Sequence, residues 1–414
     1  MKARILCIVL IGALFFSACS STITPTATES SPQVEVNKET VIVEHTQIIE
    51  VTPAAKEPII IGLSFPFSGA TAYGGEDANM GITLAFEEVN AAGGVDGHLL
   101  IPKIADSACT ADQSISATRK LVEVDKVVAI LGAICSGANL AANPIVEQYQ
   151  VPIVVGSATN PKVTADTGVA GGNIWVFRTG PTDALMAAAL STVIAEEAKT
   201  VAILAPNDDY GRGAAAAFEV ALGKVGVEIL AIEFHEKGMA DYRPILTKWK
   251  EMNPDALVIP MFAHDASIMM RQFRELQMPQ KVFARGAVVT PEFAADIVDD
   301  PSIGTGIMEA TGWAFGADPV FDQKFQERWG IPPHYYSAME YVAAQALIEG
   351  IRIALEETGE ATSAAIQEGL KKVSIETVNG HIEFDDYNQA HPYISVSTFD
   401  DKANINLLKR VPTE

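Results

Sequence analysis

The chain has 414 residues, with 29 Lys and Arg against 52 Asp and Glu, and a formal net charge of −23. Hydrophobic residues make up 48% and charged residues 20%, which allows two domains with large cores and excludes a disordered acidic chain. The negative balance, with no basic run anywhere, excludes nucleic acid and anionic lipid headgroups as the main partner.

Lys2 and Arg4 precede an apolar stretch from Ile5 to Phe16. About a dozen apolar residues are too few to cross ~30 Å of hydrocarbon, so residues 1–18 read as a secretory signal. The signal closes on Phe16-Ser17-Ala18-Cys19, which resembles a bacterial lipoprotein signal, where small residues precede the cysteine that is lipidated and becomes the new N-terminus. Ordinary cleavage that leaves Cys19 free is the alternative. Lipidation would hold the exported chain on the outer face of the cell membrane or the periplasmic membrane surface. Residues 19–57, rich in Ser, Thr, Pro and Val, read as a tether with an end-to-end reach of roughly 35 Å. The β-branched patches at Val41–Val43 and Ile48-Ile49 could instead pair as an extra edge strand.

Cys7 leaves with the signal, and the folded part keeps Cys109 and Cys135. An isolated pair in an oxidising compartment reads as one disulfide, worth about 3.5 kcal/mol in the chain-entropy model for a loop of about 27 residues. Two buried thiols are the alternative. A metal site is disfavoured, because no His or further Cys stands at ligand spacing.

From Pro58 apolar runs at Ile59–Phe65, Leu99–Ala105, Val127–Leu131, Val151–Val155 and Ile174–Phe177 predict buried parallel strands. Helical patterns between them cover Met80–Ala92, Ala111–Val124 and Ala141–Tyr149, the first ending on a Gly93-Gly94 stop signal. The same alternation restarts, with strands at Val201–Ala205, Val227–Phe234, Ala256–Pro260 and Val282–Ala284. Helices are predicted there near Gly211–Val225, Tyr242–Met252, Ala266–Leu276 and Pro291–Val298. Long helices over Pro333–Glu357 and Ala361–Lys372 follow, then alternating segments around His381–Phe384 and Ile394–Phe399. The fold class is α/β, two Rossmann-like lobes with parallel sheets and a cleft between them for a small molecule.

Enzyme constellations are missing from the sequence: no Gly-x-Gly-x-x-Gly after the first strand, no phosphate-binding Gly-x-x-x-x-Gly-Lys-Ser/Thr, no Gly-x-Ser-x-Gly. The seven His are scattered, with His235 and His264 read as surface or loop residues. Asp208-Asp209 and Asp385-Asp386 read as solvated loop carboxylates rather than paired acid and base. Neither an enzyme nor a cofactor or metal is expected.

Asn90-Ala-Ala-Gly-Gly-Val-Asp-Gly97, Ala105-Asp-Ser-Ala-Cys109, Gly132-Ala-Ile-Cys135-Ser136, Pro152-Ile-Val-Val-Gly-Ser157-Ala-Thr159-Asn-Pro161, Phe177-Arg-Thr179 and Asn207-Asp-Asp-Tyr210-Gly211 occur in that order. Together they resemble type I periplasmic binding proteins of the leucine/isoleucine/valine-binding kind, which deliver ligands to ABC importers; the likeness spans about 58–410. The resemblance implies a hinge-flanked cleft, with lobe 1 over 58–180 plus about 313–380 and lobe 2 over 181–312 plus about 381–414. It implies that Ser136, at a helix start, with Ser157, Ala158 and Thr159 in the loop after the next strand, grips a ligand α-carboxylate. A plain N-cap for Ser136 and a backbone-bonded hydroxyl for Thr159 are the alternatives. Asp183 is implied as partner of the ligand ammonium, or else an N-cap. Tyr73 and Tyr210 are implied as aromatic clamps from the two lobes, or else are packing aromatics with a wet hydroxyl, and Phe262 is implied as apolar wall. One departure stands out: Gly286 occupies the position where leucine-type members carry an acidic residue. Its neighbour Arg285 is read as solvated or paired outside; facing the cleft, it would suit a ligand with a second carboxylate. The implied partners are a small amino-acid-like ligand, first a branched-chain or other apolar amino acid, and an ABC permease in the membrane, with no nucleic acid and the chain acting as a monomer. A sensor presenting ligand to a receptor, or a binder of amides, dicarboxylates or aromatic acids, is the other reading.

Overall fold

The computed structural model describes residues 56–286 and 288–413. The signal segment, Cys19 and all but the last two residues of the expected tether lie outside the described residues. The first sheet runs in the order β2-β1-β3-β4-β5, from β1 (Ile59–Phe65), β2 (Leu100–Asp106), β3 (Ala129–Gly132), β4 (Ile153–Val155) and β5 (Val176–Arg178). All its pairings are parallel. β1, β3 and β4 are near-continuous apolar runs because helices cover both faces. The crossovers carry α1 (Ala72–Ala91), α2 (Ala111–Arg119), α3 (Ser136–Tyr149) and the short α4 (Lys162–Ala165) and α5 (Gly168–Gly171).

After β5 the chain enters the second lobe. There α6 (Asp183–Glu197), β6 (Thr200–Pro206), α7 (Asp209–Val225), β7 (Glu228–His235), α8 (Arg243–Met252), β8 (Ala256–Ile259), α9 (Ala263–Glu275), β9 (Lys281–Arg285), α10 (Pro291–Asp296) and β10 (Met308–Thr311) alternate. It then returns to the first lobe with α11 (Pro319–Trp329), α12 (Tyr335–Thr358), α13 (Ser363–Leu370) and the hairpin β11 (Ser374–Thr377) and β12 (Gly380–Glu383). A third passage brings β13 (Ile394–Phe399) and β14 (Ile405–Val411) onto the second sheet, whose order is β14-β13-β10-β9-β8-β6-β7. The pairings from β10 to β7 are parallel, and β13 and β14 add antiparallel. Core lies on both faces of each sheet: on the first, where β1 and β3 meet α1 and α12 and where β3 and β4 meet α2 and α3, and on both faces of the second. The expected two-lobed α/β class is therefore the observed one.

Of the elements that differ from the sequence expectation, three bear most on the packing. α1 starts at Ala72, two turns before Met80, and Gly74 and Gly75 let this added part lie against Tyr336 and the Pro66 carbonyl. Further along, a Cβ on Gly81 would sit 2.0 Å from the Ser337 carbonyl oxygen, so α1 and α12 pack backbone to backbone. β10, of sequence Met-Glu-Ala-Thr, carries too little apolar periodicity to be predicted, yet it lies mid-sheet with Glu309 fully buried. The third, α11, was not anticipated; Asp318 caps it by accepting from the Val320 and Phe321 amides. Cys109 and Cys135 form the expected disulfide, with Cα atoms 5.4 Å apart, tying the loop after β2 to the start of α3.

Candidate ligand cleft

The carboxyl edges of the two sheets face one another, and the loops that leave them make the cleft. From the first lobe come the start of α3 and the loop after β4. Ser136 is the first residue of α3, and its hydroxyl accepts from the Asn160 amide at 3.3 Å. A buried arginine organises the loop. Arg178, fully buried at the end of β5, donates Nη1 to the Ala158 and Asn160 carbonyls (3.1 and 2.8 Å), Nη2 to Thr164 Oγ1 (2.6 Å) and Nε to Gln389 Oε1 (2.5 Å). All four acceptors are neutral, and burial pulls its pKa down to about 9.

Ser157 points into the first lobe instead of toward the opposite one. Its hydroxyl donates to Glu340 Oε1 at 2.6 Å, and burial pushes the Glu340 carboxyl up to about 8. Ala158 contributes its carbonyl to Arg178. Thr159 and Asn160 are the members of the loop whose side chains reach across.

From the second lobe come α6, α7, α9 and β9. Thr182, not Asp183, caps α6, its hydroxyl accepting from the Leu185 amide at 3.1 Å. Asp183 is the next residue, fully buried, and its own amide donates to the Thr159 carbonyl at 2.8 Å. Along β9, Val282 and Ala284 face one core and Phe283 the other. Arg285 continues the Phe283 side and so meets the start of α6. Its Nη2 donates to Asp183 Oδ1 and to Thr159 Oγ1 (2.9 Å), and its guanidinium lies 4.4 Å from the Tyr210 ring centre. At 1% exposure, Arg285 is thus between the lobes, which corrects the reading of a solvated or outward-paired side chain.

Tyr210, in the first turn of α7, donates its hydroxyl to the Arg285 carbonyl at 3.0 Å, and burial holds that phenol well above its usual pKa. Its ring packs on Phe262 with centres 4.8 Å apart. Gly286 has φ +87°, a left-handed conformation, and a Cβ there would meet only the Tyr210 hydroxyl, 3.8 Å away. Tyr73 sits in the first turn of α1 beside Tyr336, ring centres 6.1 Å apart; burial first and then the nearby Glu292 carboxylate raise its pKa.

Thr159, Asp183, Tyr210, Phe262 and Gly286 are therefore brought together around Arg285. Ser136, Tyr210 and Phe262 also line a cavity of about 180 Å³ between the lobes, which Cys135 and Lys237 share. Asn160 Nδ2, donating to the Asp209 carbonyl, bridges the lobes beside it. Asp208 is a helix cap that accepts from the Gly211 amide at 2.9 Å and pairs with Lys237 at 2.7 Å. A larger apolar groove of about 590 Å³ lies between α6, α7 and the Asn160–Lys162 segment. The smaller space is lined by the polar and charged residues Ser136, Asp208, Asp209 and Lys237, while Thr159, Asp183 and Arg285 lie outside its lining.

Sequence reasoning missed Arg178, Glu340 and a second seam between the lobes. There His334 Nδ1 meets Glu292 Oε1 at 3.0 Å and Asp77 Oδ1 at 3.7 Å, while Asp77 Oδ2 accepts from the Ser337 amide at 2.9 Å. Glu340, a single acid inside the apolar run Tyr335–Ala344, was the visible signal for one of these. His235, read as exposed, is buried against Tyr242, its Nδ1 3.3 Å from the phenol oxygen.

Two doubly wound lobes crossed by three chain passages, with polar side chains converging on the gap, define a two-lobed ligand-binding protein rather than a single-domain α/β fold. Residues 58–402 match the family model described as periplasmic binding protein, and the chain belongs to that family. An amino acid binding protein of Pseudomonas aeruginosa is 28% identical over 349 residues, covering 82% of this chain and 89% of its own length. Among solved structures, a leucine-binding protein from Thermotoga maritima superposes with a TM-score of 0.76 at 23% identity, over 85% of this chain and 98% of its own. A solute-binding protein from R. palustris in complex with benzoate gives 0.77 at 16% identity, over 86% and 97%.

Proposed function

We propose that this protein is an extracytoplasmic solute-binding lipoprotein that captures a small carboxylate by closing its two lobes and presents it to an ABC importer. The observation that carries the reading is the convergence of Thr159, Asp183, Tyr210 and Arg285, from both lobes, on one buried point. In the proposed cycle the first lobe holds the carboxylate at the start of α3 and the Thr159 hydroxyl while the cleft is open. Closure then brings Asp183, Tyr210, Phe262 and Arg285 over it, so ligand shifts the open–closed equilibrium through contacts that only the closed form makes. Lobe boundaries near residues 180, 313 and 381 are part of this proposal, as are the lipid on Cys19, the tether over 19–57 and action as a monomer.

The Pseudomonas relative is named an amino acid binding protein, which makes amino acids the first carboxylates to test. A thermal-shift screen over amino acids, monocarboxylates, dicarboxylates and amides tests the class: a ligand at 100 times its Kd should stabilise by about 2.7 kcal/mol. Small-angle scattering should then show a smaller radius of gyration. A screen in which only non-carboxylates stabilise would sink the reading. Processing that is insensitive to globomycin would remove the lipid on Cys19.

A further inference from the structure

The charges in the cleft do not fit an α-amino acid. Such a ligand brings an ammonium together with its carboxylate, and the ammonium needs a free anion. Asp183 is the residue implied for that task, yet its charge is already matched by Arg285: Oδ1 accepts from the guanidinium, and Oδ2 alone is left without a partner among the described residues. Glu309, the next buried acid, spends both oxygens on backbone, accepting from the Val288 amide at 2.8 Å and the Val289 amide at 2.7 Å. Position 286 supplies no acid, and its φ of +87° is one that a side-chain-bearing residue rarely adopts. An incoming ammonium would thus stand beside a guanidinium and share one carboxylate with it, in a place where water cannot screen the two cations.

Resting on the carboxylate reading above, we propose that Arg285 sets the ligand class: the cleft takes carboxylic acids that lack a free α-ammonium group. The guanidinium does the work that the ammonium would do in an amino acid complex. It neutralises Asp183, and its Nη2 fills the donor position at Thr159 Oγ1. Arg285 Nε is buried and has no hydrogen-bond partner among the described residues; it is a donor left for an acceptor on the ligand. Stacking at 4.4 Å on the Tyr210 ring fixes the plane of the guanidinium, and the Tyr210 bond to the Arg285 carbonyl fixes its backbone. Arg285 stays a cation at neutral pH, since burial lowers its pKa only to about 10.

Matched pairs that differ only by the α-ammonium test this on the unaltered chain: 4-methylpentanoate against leucine, 3-phenylpropanoate against phenylalanine, phenylacetate against phenylglycine and glutarate against glutamate, by thermal shift and then calorimetry. At least one acid should bind a hundredfold or more tighter than its amino counterpart. Amino acids that bind as well as their acids, or better, overturn the inference while leaving the carboxylate reading in place. If neither member of any pair binds, the carboxylate reading itself falls, and the inference with it. In Arg285→Gln, which frees Asp183, the preference for the acid should shrink at least tenfold, with melting of the variant reporting whether it folds. A folded variant with an unchanged preference also overturns the assignment.

Discussion

The two walls of the cleft are built differently. On the first lobe, Arg178, Glu340 and the Cys109–Cys135 disulfide hold the loops at 135–136 and 157–160 through partners within that lobe or the adjoining Gln389 segment. What this wall offers is hydroxyls, amides and a helix start. On the second lobe, Asp183, Tyr210 and Arg285 form a charged and aromatic set whose bonds run partly across the gap, to the side chain and carbonyl of Thr159. A wall of fixed dipoles binds any small carboxylate without a net charge of its own. On the proposed function, discrimination therefore belongs to the second wall, where one exchange of charge would change which molecules fit.

The comparison is broken most forcefully at Arg178. In Arg178→Met the carbonyls of Ala158 and Asn160 and the oxygens of Thr164 and Gln389 lose their buried donor, which costs on the order of 4 kcal/mol in denaturant unfolding. Ligand affinity should fall along with stability, because the loop that carries Thr159 loosens. A stable Arg178→Met protein with unchanged affinity would mean that the first wall is not organised from within. The disulfide is the next largest handle. Cys109→Ser with Cys135→Ser should lower unfolding free energy by about 3.5 kcal/mol, the chain-entropy value for this loop. Mass spectrometry showing both cysteines alkylated without reductant would remove the bond from the account. Thr159→Ala is milder and sharper. It deletes the one hydroxyl that reaches across, and we expect about a tenfold loss of ligand affinity, near 1.4 kcal/mol, with little change in folding. Affinity within twofold of the unaltered chain would place the carboxylate elsewhere.

The first wall was far more legible in the sequence than the second. Strand ends and helix starts follow from apolar periodicity and turn residues, and they put Ser136 and Thr159 on one edge of one sheet. Nothing local distinguishes Ser157, which turns inward to Glu340, from Thr159 two residues later. That difference depends on α12, which returns to this lobe only after the whole second lobe has been traversed. Arg285 was misjudged for a related reason. An arginine at a strand end is ordinarily solvated, and only the meeting of β9 with the start of α6 supplies the buried carboxylate that keeps it in. Arg178 was visible as part of a motif, but its role depends on four oxygens, three in the loop over 158–164 and one at Gln389. Long-range closure, not local propensity, decides such buried charges.

The second seam between the walls gives the smallest effect and a clear sign. His334 at the start of α12 bonds Glu292 on α10, with Asp77 of α1 close behind, so the imidazole links the two lobes. Burial opposes its charge, but the bond to Glu292 and the two carboxylates more than offset that and raise its pKa above the usual value. A group with a raised folded pKa contributes stability that is fully present below its ordinary pKa and is lost as pH rises through the folded one. Asp77, pushed up to about 6 by burial, acts in the same direction at lower pH, its contribution fading as pH rises from about 4 through 6. Glu292, held down by the imidazole against the pull of burial, acts oppositely, losing its contribution only as pH falls below the ordinary carboxylate range. Between pH 6 and 8 the histidine and Glu340, whose carboxyl burial pushes up to about 8, act in the same direction, and unfolding free energy should decline as pH rises. In His334→Gln that decline should become shallower by the histidine's share, because glutamine can bond Glu292 but cannot take up a proton, while Glu340 keeps its own part. Parallel slopes for the two proteins over this range would show that the imidazole does not couple the lobes to pH.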